Sequence, residues 1–339
     1  MIWSRVGAFC MAAVVAVGGQ VPVPAHMHEF RIDAGHSSIE FDVPFMYSHV
    51  HGRFDDVQGT ILLADSSDVN VRRSAAMAVI RVASINTGTA HRDEHLRSSD
   101  FFDAEQYPRI VFRSSAAAGT WNAFILTGSL SMHGVTHELR IPCRVVLAPT
   151  HDPHNTVLAQ VIGSTTIARR DFGILGGSAH NEWFDRLRSA TMGDSVRITL
   201  DVHLWMPDQT HPSNATIATI AKLDSTGIDS AVALLRAAHS RDSVAFAAAQ
   251  PSLDEVGQTL LDKGRVRDGF LWLHAIARLL PASANAMVSV GTANALMGDT
   301  ARAAIWYRQA IAADSLNSRA YVRARWAMTN PASPSGRQR

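Results

Sequence analysis

Residues 195–205 read SVRITLDVHLW, and the alternation in this stretch decides the class of the first half of the chain. Val196, Ile198, Leu200, Val202 and Leu204 are apolar, and every residue between them is polar or charged. A period of two belongs to a strand with one buried face, because successive side chains leave a pleated backbone on opposite sides. The same period recurs in Ile39, Phe41, Val43 and Phe45, and in Leu139, Ile141, Cys143 and Val145. Shorter runs lie at 60–63, 77–85, 110–113, 124–132 and 157–167, separated by turn signals such as Asn86-Thr87-Gly88 and His133-Gly134. About eight strands with few helices predict a sandwich or a closed antiparallel barrel over residues 28–206. An eight-stranded barrel is about the size that encloses one small ligand.

After Pro207 the period changes. Residues 207–214 read as a linker, and from 215 to 329 alanine and leucine dominate at helical spacing. An internal repeat lies there: Gly257 recurs as Gly291, Gly264 as Gly298 and Trp272 as Trp306, each 34 residues on. That period, with Gly298-Asp299 at a turn and Ala303, Tyr307 and Ala310 after it, resembles the tetratricopeptide family. Pro281 closes the first unit where that family usually has proline, and Ser315 stands there in the second. Residues 250–283 and 284–317 make two helical hairpins. About three are normally needed to bury a continuous core, so helices within 215–247 and one starting near Ser318 are predicted to cap them. Such arrays present concave surfaces, which implies a protein partner. The Pro/Ser/Arg-rich tail, 330–339, is predicted to be disordered.

Composition narrows the function classes. The formal charge is +1 and the arginines are spread along the chain, which argues against a nucleic-acid footprint. Arg5, the apolar run from Val6 to Gly19 and Val23-Pro24-Ala25 read as a signal peptide over 1–25, so the protein is expected to be exported, to the periplasm or beyond it. No later run is apolar for about 18 residues, so no transmembrane span is expected in the mature chain. Cleavage removes Cys10 and leaves Cys143, which excludes an intramolecular disulfide. Cys143 alternates with apolar neighbours and reads as a small buried hydrophobe.

Residues 91–102, HRDEHLRSSDFF, raise the question of chemistry. His91 and His95 lie four apart, a spacing that on a helix can hold a metal. The zinc-protease pattern needs Glu directly after the first His, however, and Arg92 stands there. His133 and His137 have Gly134 between them, and His49-Val50-His51 is a third pair; none shows a third ligand. Ser37 and Ser38 follow His36 without a Gly-x-Ser-x-Gly elbow. The His-Ser pair either satisfies backbone groups where a strand begins or touches a ligand head group. No catalytic or metal residue is assigned. The stretch is instead expected to form one helical turn, steadied by an Asp93–Arg97 pair at i,i+4. It would carry Phe101, Phe102 and Tyr107 into a barrel mouth as a plug or lid.

FRIDAGHSSIEFDV (30–43), GRF (52–54), INTGTAHRDEHLRSSDFFDAEQYPRIVFRS (85–114), LTGSLSMHGVTHELRIP (126–142) and RRDFGI (169–174) resemble, in order, the motifs of the YceI-like family. The resemblance covers roughly 28–205. It implies an exported, eight-stranded lipocalin-like barrel that binds a polyisoprenoid, quinone or fatty-acid derivative non-covalently, with no other cofactor, and that often forms a homodimer. Strand patterning offers Phe41, Val43, Phe45, Ile141, Val145, Ile198 and Leu200 as cavity walls, although a one-residue slip turns all of them outward. His91, His95, Phe101 and Phe102 are the expected mouth residues. Arg170 is expected to pair with an acid in 91–103. The competing readings are a histidine-dependent metalloenzyme and an interaction scaffold whose barrel is filled.

Overall fold

The computed structural model describes residues 28–63, 71–153, 156–176, 192–206 and 212–329. The expected signal peptide, linker residues 207–211 and the tail 330–339 lie outside the described residues. Eleven strands form one antiparallel sheet: β1 (His28–Ile32), β2 (Ser38–Phe45), β3 (Ser48–Phe54), β4 (Val57–Leu63), β5 (Ala75–Arg81), β6 (Ile85–Asn86), β7 (Arg109–Thr120), β8 (Ala123–Met132), β9 (Val135–His151), β10 (Val157–Ala168) and β11 (Ser195–Met206). One edge of β11 pairs with β10. The other pairs with β2 along 197–201 and with β1 at Leu204 and Trp205. β1 and β2 are therefore two pieces of one stave. β3 pairs with β2 while β4 pairs with β1, and β6 pairs with β3 while β5 pairs with β4. Three broken staves and the five continuous strands β7–β11 close into the eight-staved barrel that the alternation predicts.

Two of the breaks have a local cause. Between β1 and β2, Asp33 accepts from the Gly35 N–H at 3.0 Å and faces His36 Nδ1 at 2.8 Å. Ser37 Oγ donates to the His203 carbonyl at 3.2 Å and accepts from the His203 N–H at 3.0 Å, so it bridges the missing rung of the ladder. Ser37 thus satisfies backbone groups, while the His36 ring faces the Asp33 carboxylate. The run 77–85, one strand by its sequence, is split between β5 and β6 by a 3-10 turn at Val82–Ser84.

A short helix, α1 (Ala90–Arg97), follows β6. The helical half contains α2 (Asn214–Thr226), α3 (Ile228–Arg241), α4 (Ser243–Ala248), α5 (Gln250–Asp262), α6 (Val266–Leu279), α7 (Ala284–Leu296), α8 (Thr300–Ala313) and α9 (Ser318–Thr329). α5, α7 and α9 start 34 residues apart, and so do α6 and α8. Gly264 and Gly298 take φ of +75° and +80° at the hairpin turns, where a side chain would be strained. Gly291 admits the Tyr307 ring, and Gly257 admits Leu273, at positions where any Cβ would collide.

The two halves share a core. Leu62, Ala75, Met77 and Val111 of the barrel wall cluster with Val288, Tyr307, Val322 and Trp326 of α7–α9. Glu29 accepts from Arg319 Nε at 2.6 Å and from Arg323 Nε at 2.5 Å. Arg113 donates to the Ser315 carbonyl at 2.9 Å, and Tyr321 Oη donates to the Ser114 carbonyl at 2.6 Å. No helix among the described residues is long and apolar enough to cross a membrane.

Candidate ligand-binding site

The segment 87–102 is held in place by its own polar side chains. Asp93 is buried and accepts from the Thr87 N–H at 2.8 Å and from Thr87 Oγ1 at 2.5 Å. Arg97 donates to the carbonyls of Ala83 and Ile85, both at 2.9 Å, which ties α1 to the break between β5 and β6. The expected Asp93–Arg97 pair is therefore replaced by two separate anchors, because each side chain finds backbone partners that the strand break leaves open. Ser98 Oγ donates to the His95 carbonyl at 2.7 Å and ends the helix. The chain then turns Phe101 into the barrel core, edge-on to the His95 ring at 4.9 Å. Phe102 stands edge-on to Phe54 at 5.9 Å.

Beneath this plug lies a cavity of about 370 Å³ whose walls are mostly apolar. Phe41, Val43, Phe45, His95, Phe101, Phe102 and Ile198 line it. Phe45 sits at the rim and is exposed. A second space of about 140 Å³, almost entirely apolar, lies deeper. Both spaces touch Phe54, Met132, Ile167 and Ile198, so they form one column along the barrel. Ile141 and Leu200 wall the deeper space rather than the mouth, and Val145 lines neither. Cys143 also faces the deeper space, and burial pushes its thiol up to about 12. A larger depression of about 970 Å³ over Glu40, Asp42, Arg53 and Arg197 is an open, charged surface rather than an enclosure.

One expected mouth residue is corrected. His91 is exposed and lines neither space. The cavity-facing residues of α1 are Arg92, His95 and Leu96; His91 shares the His95 face by spacing but lies one turn back, in the first turn of the helix. His95 faces Asp100 at 3.2 Å. The other histidine pairs also have structural partners. His133 Nδ1 lies 3.0 Å from the Phe172 carbonyl and His137 Nε2 lies 2.9 Å from the Asp171 carbonyl, which pins the turn Arg169–Phe172 onto the β8–β9 hairpin. His49 and His51 both face Asp42, at 2.6 and 2.7 Å.

Arg169 is the polar group that sequence reasoning passed over in favour of its neighbour. Arg170 lies on the surface side, 3.6 Å from Asp194, instead of on an acid of 91–103. Arg169 is buried and lines the cavity. Its guanidinium donates to four carbonyls: Gly193 at 3.1 Å, Ile174 at 2.7 Å, Leu175 at 2.8 Å and Met192 at 3.3 Å. Burial, with the charge of Arg170, lowers its pKa, and Asp194 opposes that. A signal was present: Ile167 faces the cavity, and the period of two puts Arg169 on the same side.

A family model described as a YceI-like domain matches residues 30–204, just over half of the chain. The chain belongs to the YceI-like family. A UPF0312 protein of Vibrio parahaemolyticus is 31% identical over 175 residues, covering 50% of this chain and 90% of that protein. A UPF0312 protein of Shewanella is 31% identical over 171 residues, covering 48% and 86%. Among solved structures, BcnA of Burkholderia cenocepacia is 24% identical with a TM-score of 0.44, covering 51% of this chain and 98% of that one. A polyisoprenoid binding domain from Saccharophagus degradans is 18% identical with a TM-score of 0.39, covering 54% and 100%. The YceI-like match ends at residue 204, so α2–α9 lie beyond it.

Proposed function

We propose that this YceI-like barrel holds a long-chain amphiphile non-covalently, with the tail in the apolar column and the head at the mouth beside α1. The observation that carries the reading is the column itself: about 370 Å³ at the mouth, continuing into an almost wholly apolar space. A barrel that served only as a filled scaffold would leave no such room. Each buried methylene contributes about 0.8 kcal/mol, so an acyl or prenyl tail needs an apolar tunnel and no reacting group. Polyisoprenoids, isoprenoid quinones and fatty-acid derivatives all fit that description. The signal-like segment at 1–25 supports export, and the 34-residue hairpins support a tetratricopeptide-like array that contacts a protein. Mass spectrometry of lipid extracted from the denatured, host-purified protein tests the reading. A stoichiometric amphiphile is expected. No extractable lipid, together with no uptake of added lipids, would overturn it.

A further inference from the structure

The polar groups on the cavity wall are all on basic side chains. Among the described residues lining it, the ionisable ones are Arg92, His95 and Arg169, with no aspartate or glutamate. Arg169 is buried and its hydrogen bonds end on neutral carbonyls. The nearby carboxylate, Asp194, stands against Arg170 and makes no hydrogen bond to Arg169, although its charge favours the Arg169 cation. A buried charge whose hydrogen bonds all go to dipoles is costly, and an anion brought alongside in the same low-dielectric space interacts with it strongly. Arg92 presents the complementary half. Its Nε donates to Thr87 Oγ1 at 2.7 Å, and Nη2 donates to the Thr87 carbonyl at 2.9 Å and to Thr89 Oγ1 at 3.2 Å. These bonds fix the guanidinium plane and leave Nη1 without a partner among the described residues. A fixed guanidinium with free N–H groups is suited to an oxyanion.

We infer that the cavity selects amphiphiles with an anionic head group, a carboxylate or a phosphate, over neutral ones of the same tail, and that Arg92 is the group that recognises the head. The inference rests on the amphiphile-binding reading above and narrows it. A neutral quinone or alcohol would bury the same tail but bring no charge of its own to the two guanidiniums.

The test uses the full chain stripped of lipid. Hexadecanoate is titrated against hexadecanol, and farnesyl phosphate against farnesol. At least one anion is expected to bind about tenfold or more tightly than its own alcohol, a gap of about 1.4 kcal/mol, and the pair that shows the gap identifies carboxylate or phosphate. R92Q is expected to erase most of that gap by weakening the anions by a larger factor than their alcohols. R92K, which keeps the charge but loses the fork, should fall between. Equal binding of both anions and their alcohols by the native protein would overturn the inference. So would an R92Q variant that weakens acid and alcohol by the same factor, since that marks Arg92 as a support for the Thr87 turn alone. Failure of all four probes to bind would instead remove the amphiphile reading on which the inference stands.

Discussion

Asp254 on α5 is a carboxylate in a place that does not favour charge. Its Oδ1 is buried without a hydrogen-bond partner, and its Oδ2 accepts a single bond, from Gln250 Nε2 at 3.2 Å. Burial pushes its pKa up to about 6, against the smaller opposing effects of Gln250 and Arg319. Because the folded value is raised, the contribution of Asp254 to stability is fully present below the unfolded value of 3.8 and is lost as pH rises through about 6. Asp254→Asn removes that loss. Urea unfolding is expected to show the variant more stable than the native chain by about 1–2 kcal/mol at pH 7.5, with the difference gone at pH 4. A difference that does not change between the two pH values would contradict the assignment.

The elements show which features could be read from the chain alone. Each run of alternation is a strand because the barrel buries one face throughout, and the 34-residue repeat is literal in the starts of α5, α7 and α9. The stave breaks were not legible. The Val82–Ser84 turn keeps the apolar run going while the backbone leaves the ladder, and only the carbonyls taken by Arg97 reveal it. At the mouth, Phe101 and Phe102 announced themselves by size, whereas Arg169 was hidden because an Arg-Arg-Asp run at the end of a strand reads as solvent-facing. The repeat also makes a quantitative demand on its glycines. Gly→Ala inside a helix ordinarily gains up to about 1 kcal/mol from propensity. At Gly291 the added methyl would strike the Tyr307 ring, which is fully buried between α7 and α8. Overpacking of that kind costs about 1–3 kcal/mol. Gly291→Ala is therefore expected to lower stability, by about 1 kcal/mol net, with a reduced urea midpoint at unchanged slope. A stabilised variant would show that α7 and α8 can separate to admit a methyl.

At the scale of the whole molecule, two hairpins flanked by capping helices would still leave the outer face of α9 uncovered, and the barrel wall covers it. Leu62, Met77 and Val111 supply the apolar surface, and Glu29 on β1 supplies the charge that fixes the register of docking. Burial alone would raise the Glu29 pKa, but Arg323 and Arg319 outweigh it and hold the carboxyl at about 2. Its folded value lies below the unfolded 4.5, so its contribution is present above about 4.5 and is lost as pH falls towards about 2. The shift corresponds to about 3 kcal/mol at neutral pH. Glu29→Gln removes the charge at every pH and leaves the buried Arg323 and the half-buried Arg319 facing a neutral amide; losing one partner of a buried pair typically costs about 3–5 kcal/mol. In the native chain, barrel and helices are expected to unfold together near neutral pH, with near-ultraviolet and helical circular dichroism signals superimposing. Glu29→Gln is expected to separate the two transitions at pH 7, the helical signal melting first, because the array loses its covered end while the barrel keeps its closed ladder. Acidifying the native protein from about pH 4.5 to 2 should move it towards the same behaviour. Coincident transitions in the variant would mean that the apolar contact of Leu62 and Met77 with α9 holds the halves together without the ion pairs.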